Sequence, residues 1–232
     1  LPRAVLAAAI GASLGLSGAA LQGLLRNPLA EPAVIGISAS AGLGAVIALY
    51  FGFAAAMPLA LPLAGMAGGL LGMGLLIAFS GRDQTAFGLV LSGVALASLA
   101  GALTALALNL APSPYAMSEM VLWLLGSLRD RSLIELRFAL PFLVLGWLLL
   151  LGVGRGLDAL TLGEAAARSL GVHLGRLRLQ VIGGTALAVG ASVAVAGTIG
   201  FVGLVVPHWR RPWLGHRPGA LLAPSALAGA AL

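Results

Sequence analysis

The feature that most constrains this chain is a succession of apolar runs, each about as long as a bilayer is thick, separated by short polar segments. A helix that crosses a hydrocarbon core about 30 Å thick needs about 20 mostly apolar residues. Residues 4–25, 33–51, 56–79 and 87–110 each reach that length. Residues 133–153 make a fifth run, with Glu135 and Arg137 near its start, where a helix would emerge at the interface. Residues 179–206 form a longer run broken by Gly197, Gly200 and Gly203, and the last run, 220–232, stops after 13 residues, short of a crossing. Composition agrees, with 60% apolar and 9% charged residues, against about 45–50% and about 25% in soluble domains. So few charges cannot cover a water-facing surface. The expected fold is all-α, a polytopic transmembrane helical bundle, and disordered chains, fibres and free-standing soluble enzymes are excluded. Residues 1–232 read as a single transmembrane domain, and its two abrupt ends read as truncations.

Two absences narrow the chemistry. With no cysteine, disulfides, thiolate metal sites and cysteine nucleophiles are excluded. All 13 basic side chains are arginine. A phosphate-binding loop needs its lysine on the terminal phosphates, and Schiff-base chemistry needs a lysine amine. If ATP drives this protein, another chain hydrolyses it. The net charge of +6 does not imply nucleic acid, whose binders gather arginine on one solvated face. Here the arginines punctuate apolar runs, as helix ends do at a lipid surface. Membrane lipid is the expected partner, and nucleic acid is not.

Arginine placement also orients the spans. With the first run descending from outside to inside, the inner loops hold Arg26, Arg82, Arg155, Arg168, Arg176 and Arg178. The outer segments hold Arg3 and then Arg129, Arg131 and Arg137, set against Glu119, Asp130 and Glu135. The excess of inner arginine favours that orientation. Arg210, Arg211 and Arg217 join the inner side if residues 197–208 re-cross as a short helix. The 34 glycines often recur at four-residue spacing, as Gly11/Gly15, Gly65/Gly69 and Gly68/Gly72, the spacing by which membrane helices approach closely. Gly11-Ala12-Ser13, Gly18 and Pro28 recur at an offset of 179 as Gly190-Ala191-Ser192, Gly197 and Pro207. With opposite directions of entry this would be an inverted repeat, a common transporter architecture.

Three polar stretches stand apart. Arg26-Asn27-Pro28-Leu29-Ala30-Glu31-Pro32 carries two prolines that stop a helix, and by composition alone it is an inter-helix turn. Residues 162–171 lie in an inner loop, 155–178, with Leu162, Ala166, Leu170 and His173 at helical spacing and Gly171 where a helix C-cap would sit. By pattern that segment suits a docking surface and a helix on lipid headgroups equally. Residues 111–132 form an outer loop in which Tyr115 and Trp123 fit an interfacial aromatic belt, with a short helix expected over 117–128. His173, His208 and His216 are scattered without metal-ligand spacing, and the acids lack partners for acid–base work. The sequence therefore offers no catalytic, cofactor-binding or metal site.

At this point the motifs resemble a known family. The stretch LPRAVLAAAIGASLGLSGAALQGLLRNPLAEPAVIGISASAGLGA is similar to the early part of the FecCD-type permeases of ABC importers. The stretches LSGVALASLAGALTAL, VLWLLGSL, LGEAAARSLGVHLGRLRL and VAVAGTIGFVGLVVPHWRR match the same family in the same order. Such permeases carry iron–siderophores, haem and vitamin B12 across the bacterial inner membrane. The resemblance implies a multi-pass homodimer around a central pathway, separate cytoplasmic ATP-binding cassette ATPase subunits below it, and a periplasmic substrate-binding protein above. Of about ten family helices, this chain would hold about eight. The resemblance also implies residue roles. Arg3 would pair with a glutamate of the binding protein. Gly163, Glu164, Ala165, Ala166, Arg168, Leu170 and Gly171 would form a coupling helix seated in an ATPase groove. Asp83, Gln84 and Thr85 would lie at the cytoplasmic gate, and Tyr115, Met117 and Trp123 in the periplasmic gate helix. The WLLGSL stretch and its RDRS tail resemble the ferric-siderophore members most, with B12 and haem as alternatives. A proton-coupled secondary transporter would suit the repeat, but such carriers place ionisable residues within spans, and the middles of these spans hold none. A non-functional fragment or membrane scaffold is the remaining alternative.

Overall fold

Apolar runs become helices in lipid because no water is present to satisfy exposed backbone groups, and the breaks between them fall where proline, glycine and serine supply an ending. The computed structural model describes residues 2–80, 85–129, 131–214 and 216–232. Among them every regular element is a helix: α1 (Pro2–Leu25), a 3-10 turn (Pro32–Ile35), α2 (Ile37–Tyr50), α3 (Phe53–Ala56), α4 (Ala60–Phe79), α5 (Ala86–Asn109), α6 (Pro114–Leu124), α7 (Leu133–Leu151), α8 (Gly154–Leu160), α9 (Glu164–Ser169), α10 (Leu174–Ala196), α11 (Val202–Leu214) and α12 (Pro218–Ala231). Five of these, α1, α4, α5, α7 and α10, are long and apolar enough to cross a membrane.

Small residues set the packing. Gly11 lies against Gly229, Gly15 against Ser225 and Gly23 against Pro218, so α1 and α12 run antiparallel along their length. On α4, Gly68 and Gly72 face Ser40 of α2, while Gly65 and Gly69 face Ala194 and Gly190 of α10. A methyl group on Gly65 would stand 3.0 Å from the Ala194 Cα, and one on Gly146 of α7 would stand 2.9 Å from the Ala188 nitrogen of α10. With hydrocarbon on both sides of any choice, this close backbone approach replaces the hydrophobic effect as the source of association. α1 and α10 form the centre, buried over 67% and 78% of their apolar stretches, whereas α5 and α7 are buried over 22% and turn most of their surface outward.

The 179–206 run is not one interrupted span. It divides at Gly197, whose φ of +76° and ψ of −171° end α10; a side chain is rarely accommodated there. Residues 197–200 then lead back into the bundle, and α11 begins beside α1, where Gly203 meets Leu14 and Gly18. Pro207 inside α11 frees the Gly203 carbonyl from its intrahelical bond, and that carbonyl abuts the Gly18 backbone. α11 ends near the C-terminus of α1, where Arg211 reaches Gln22. Arg211 therefore shares an end with Arg26, as the re-crossing alternative required. Likewise, the 33–51 run enters as a 3-10 turn, and only after Gly36, at φ +76°, does α2 start.

The recurrence at an offset of 179 holds in part. Ser13 donates to the Ala9 carbonyl and Ser192 to the Ala188 carbonyl, so the two serines occupy the same local arrangement. Gly18 lies inside a helix while Gly197 ends one, and Pro28 sits in a turn while Pro207 sits in α11, so the copies diverge beyond the serines.

Candidate functional site

The first candidate region lies at the end of the bundle where α1 and α11 finish and α10 and α12 begin. Gly163 at φ +98° and Gly171 at φ +84° bracket α9, which is only six residues long. The helix ends where Gly171 is expected to cap it, with Gly171 at positive φ just past Leu170, while His173 lies beyond that turn and precedes α10. The residue α9 buries is Ala167; Ala166 is half-buried, and Ala165 and Arg168 are exposed. Leu162 and Leu170, 68% and 63% exposed, flank the helix as an outward apolar pair. Glu164 fixes this segment to the bundle. Its carboxylate accepts a 2.6 Å hydrogen bond from Arg178 of α10 and stands 3.6 Å from Arg168. Arg178 is 7% exposed, and a guanidinium that deep is retained only with a charged acceptor. Nearby, Asp158 of α8 accepts a 2.8 Å hydrogen bond from the Gly219 amide at the start of α12, a favourable place for a carboxylate.

The second region is a junction of two interrupted helices. Ser113 caps α6 by accepting from the Ala116 amide, and Pro114 follows at the first helical position. α6 then descends, with Met120 buried among Val46 and Leu49 and Leu124 reaching the level of Gly42. There Thr198 donates to the Leu124 carbonyl at 2.5 Å, and the Ser127 amide donates to the Ala196 carbonyl at 2.7 Å. Gly126 and Gly197 both have positive φ, +72° and +76°. They meet so closely that a methyl group on Gly197 would stand 2.7 Å from the Gly126 Cα. Tyr115 and Met117 stand exposed at 78% and 45%. Trp123 is half-buried and packs against two apolar clusters. The expected helix over 117–128 is displaced toward Pro114, where the serine cap and proline start it.

Two more of the expected residues sit apart from both regions. Arg3 is exposed in the first turn of α1, at the opposite end of the bundle from α9. Thr85 caps α5, its hydroxyl accepting from the Gly88 amide at 3.1 Å. Asp83 and Gln84 lie outside the described residues.

Sequence reasoning passed over two side chains that the fold puts to use. Glu31, within the proline-bracketed turn, accepts a 2.7 Å hydrogen bond from the Phe201 amide and so caps the start of α11 from across the chain. Gln22, 2% exposed, donates to the Leu204 carbonyl at 3.3 Å and accepts from Arg211 at 2.8 Å. The signal was the buried-helix position of an amide, since a polar group there needs partners. What the arrangement provides is mechanical: an exposed apolar pair tied through Arg178 to α10, whose other end is bonded to α6.

The sequence model of the FecCD transport family matches residues 1–232. The chain is 40% identical to the ABC transporter permease protein YvrB of Bacillus subtilis, with 99% of this chain and 66% of that protein aligned. It is 44% identical to the vitamin B12 import system permease BtuC of Vibrio cholerae over 100% of this chain and 70% of that one. It is 37% identical to the Fe(3+) dicitrate permease FecD of Escherichia coli over 100% and 72%. A solved inward-facing ABC transporter assigned to the metal-chelate type superposes with a TM-score of 0.92 at 34% identity, covering 99% of this chain and 73% of that one. The chain thus spans between about two thirds and three quarters of these proteins.

Proposed function

The chain belongs to the FecCD transport family, and from that premise we propose that it is the multi-pass permease subunit of an ATP-binding cassette importer in the bacterial inner membrane, forming the pathway for a ferric siderophore or similar iron chelate. ATP hydrolysis belongs to separate ATPase subunits, and a periplasmic binding protein delivers the cargo to the end that carries Arg3. A second copy of the permease completes the pathway. Cobalamin is the second reading, favoured by the 44% identity to a vitamin B12 permease.

The observation that carries this reading is the outward pair Leu162 and Leu170 held on a short rigid segment by Glu164 and Arg178. Exposed leucine at a cytoplasmic loop has no reason to face water and suits an apolar groove on a partner. In this mechanism nucleotide closes the ATPases, α9 moves with them, and the motion reaches the helix junction through α10. The permease makes no bonds; it offers two packings whose balance the partners shift.

Uptake into cells lacking their own permease tests it, with the full transporter supplied and radio-iron siderophore, haem and labelled cobalamin offered in parallel. ATP-dependent accumulation of one cargo is expected. Leu162→Asp and Leu170→Asp each weaken ATPase association by about 2 kcal/mol or more if the pair is a contact centre, read by co-purification. Unchanged co-purification of both variants, or uptake indifferent to an ATPase-dead partner, would overturn the reading.

A further inference from the structure

A cavity of about 280 Å³ opens between the C-terminal turn of α1 and the α11–α12 turn, and neither the coupling segment nor the helix junction uses it. Its buried lining joins apolar Ala19 and Leu221 to the amide of Gln22, while Arg26, Asn27, Arg211 and His216 line its more open part. Among the described residues no carboxylate lines the cavity and none pairs with Arg26 or Arg211. Asp158, whose partner Gly219 follows the cavity-lining Pro218, is committed to that Gly219 amide. Gln22, 2% exposed, receives one Arg211 N–H and holds that guanidinium at the opening.

Arg26 adds a second, independent oddity. It follows α1 at φ +48°, and the Asn27 amide behind it closes on the Gln22 carbonyl at 3.2 Å. That is the glycine position of a helix C-terminal motif, and a side chain there is strained. An arginine kept where glycine would fit better indicates a use for its charge.

We propose that this cavity binds the phosphate of an anionic phospholipid headgroup, with Arg26 and Arg211 as its cationic contacts and the Ala19–Leu221 wall against the start of an acyl chain. Guanidinium groups match phosphate oxygens in pairs, and basic pockets between membrane helices on the cytoplasmic side suit such headgroups. A free phosphate shares the oxygen chemistry but leaves the apolar wall unused. The site rests on the reading of the chain as a membrane permease, not on its cargo.

The test uses the purified full transporter in detergent, with bound lipid read by native mass spectrometry against added phosphatidylglycerol, phosphatidylcholine or inorganic phosphate. Phosphatidylglycerol is expected to bind in preference to phosphatidylcholine, and Arg211→Gln to weaken it about fivefold, as one interfacial arginine warrants. Arg26→Gly should do the same while relieving the backbone, so lost binding cannot be blamed on misfolding. Arg155→Gln, an exposed arginine at the same end, should leave it unchanged. Equal binding of the two lipids, full binding by both cavity variants, or displacement of phosphatidylglycerol by inorganic phosphate would overturn the proposal. The readout requires no transport. Preserved selectivity in a transporter that moves no cargo would support the site and count only against the import reading.

Discussion

An indole N–H in a bilayer has no water to turn to, and Trp147 on α7 finds its acceptor in the Ser13 hydroxyl of α1 at 2.8 Å. Ser13, fully buried, passes its own proton to the Ala9 carbonyl at 2.8 Å. In this chain the indole donates, the Ser13 hydroxyl accepts once and donates once, and the Ala9 carbonyl accepts. Ser13→Ala strands a half-buried indole N–H and should cost about 1–2 kcal/mol, visible as a lower unfolding midpoint in detergent. Adding Trp147→Phe removes the stranded donor and should recover part of that loss; an additive double variant would show that the bond contributes nothing. Ser13 was visible in sequence as part of a repeated Gly-Ala-Ser, but its partner lies 134 residues away. Periodicity tells which residues share a helix face, not which helices share an interface. Glu31 and Gln22 were missed for the same reason, since each acts on α11 across most of the chain.

At the scale of elements, the long runs were legible because length and apolarity alone make a spanning helix. Their internal ends were not. Glycine in membrane helices mostly serves packing, as Gly190 does against Met66, so of the three glycines that break the 179–206 run the sequence did not tell which one stops the helix; it is Gly197. Ser132 shows the opposite case, an ending written locally. Its amide and hydroxyl both donate to the Glu135 carboxylate, at 2.8 and 2.6 Å, closing a capping box at the start of α7. The end of α9 was likewise written locally, in Gly171 at positive φ just past the helix, whereas its short start after Gly163 was not. The two kinds of glycine part under mutation. Gly197→Ala must both leave positive φ and clear the Trp123 carbonyl, at about 1–3 kcal/mol for the strain alone, and it should open the α6–α10 junction to hydrogen exchange. Gly74→Ala meets nothing within 4 Å and should stabilise α4 by about 0.5–1 kcal/mol. A Gly197 variant with unchanged exchange at the Ser127 amide would refute the assignment of that glycine as the helix stop.

Across the whole molecule, α10 is the element that touches both candidate regions. One end holds Arg178, 7% exposed and bound to Glu164 beneath the outward leucines. The other ends in the Ala196 carbonyl and Thr198, both bonded to the α6 segment. Between them α10 packs on α4 and α7 through glycine and alanine with too little room to flex, so a displacement at one end has α10 itself as its route to the other. On the proposed function, association and coupling would then reside in different residues. Leu162 and Leu170 would make the contact with an ATPase, and Glu164 would transmit it. Glu164→Gln keeps the exposed pair and the helix but replaces a charge-assisted bond to a buried guanidinium with a neutral one, a loss of about 1–3 kcal/mol. Its expected outcome is an ATPase that still co-purifies and still hydrolyses, while cargo moved per ATP falls about fivefold or more. Glu164→Asp, which keeps the charge but shortens the reach, should fall between. If Glu164→Gln instead lost the ATPase as Leu170→Asp should, Glu164 would belong to the docking surface. Undiminished transport per ATP in that variant would show that motion reaches the α6 junction by a route other than Arg178.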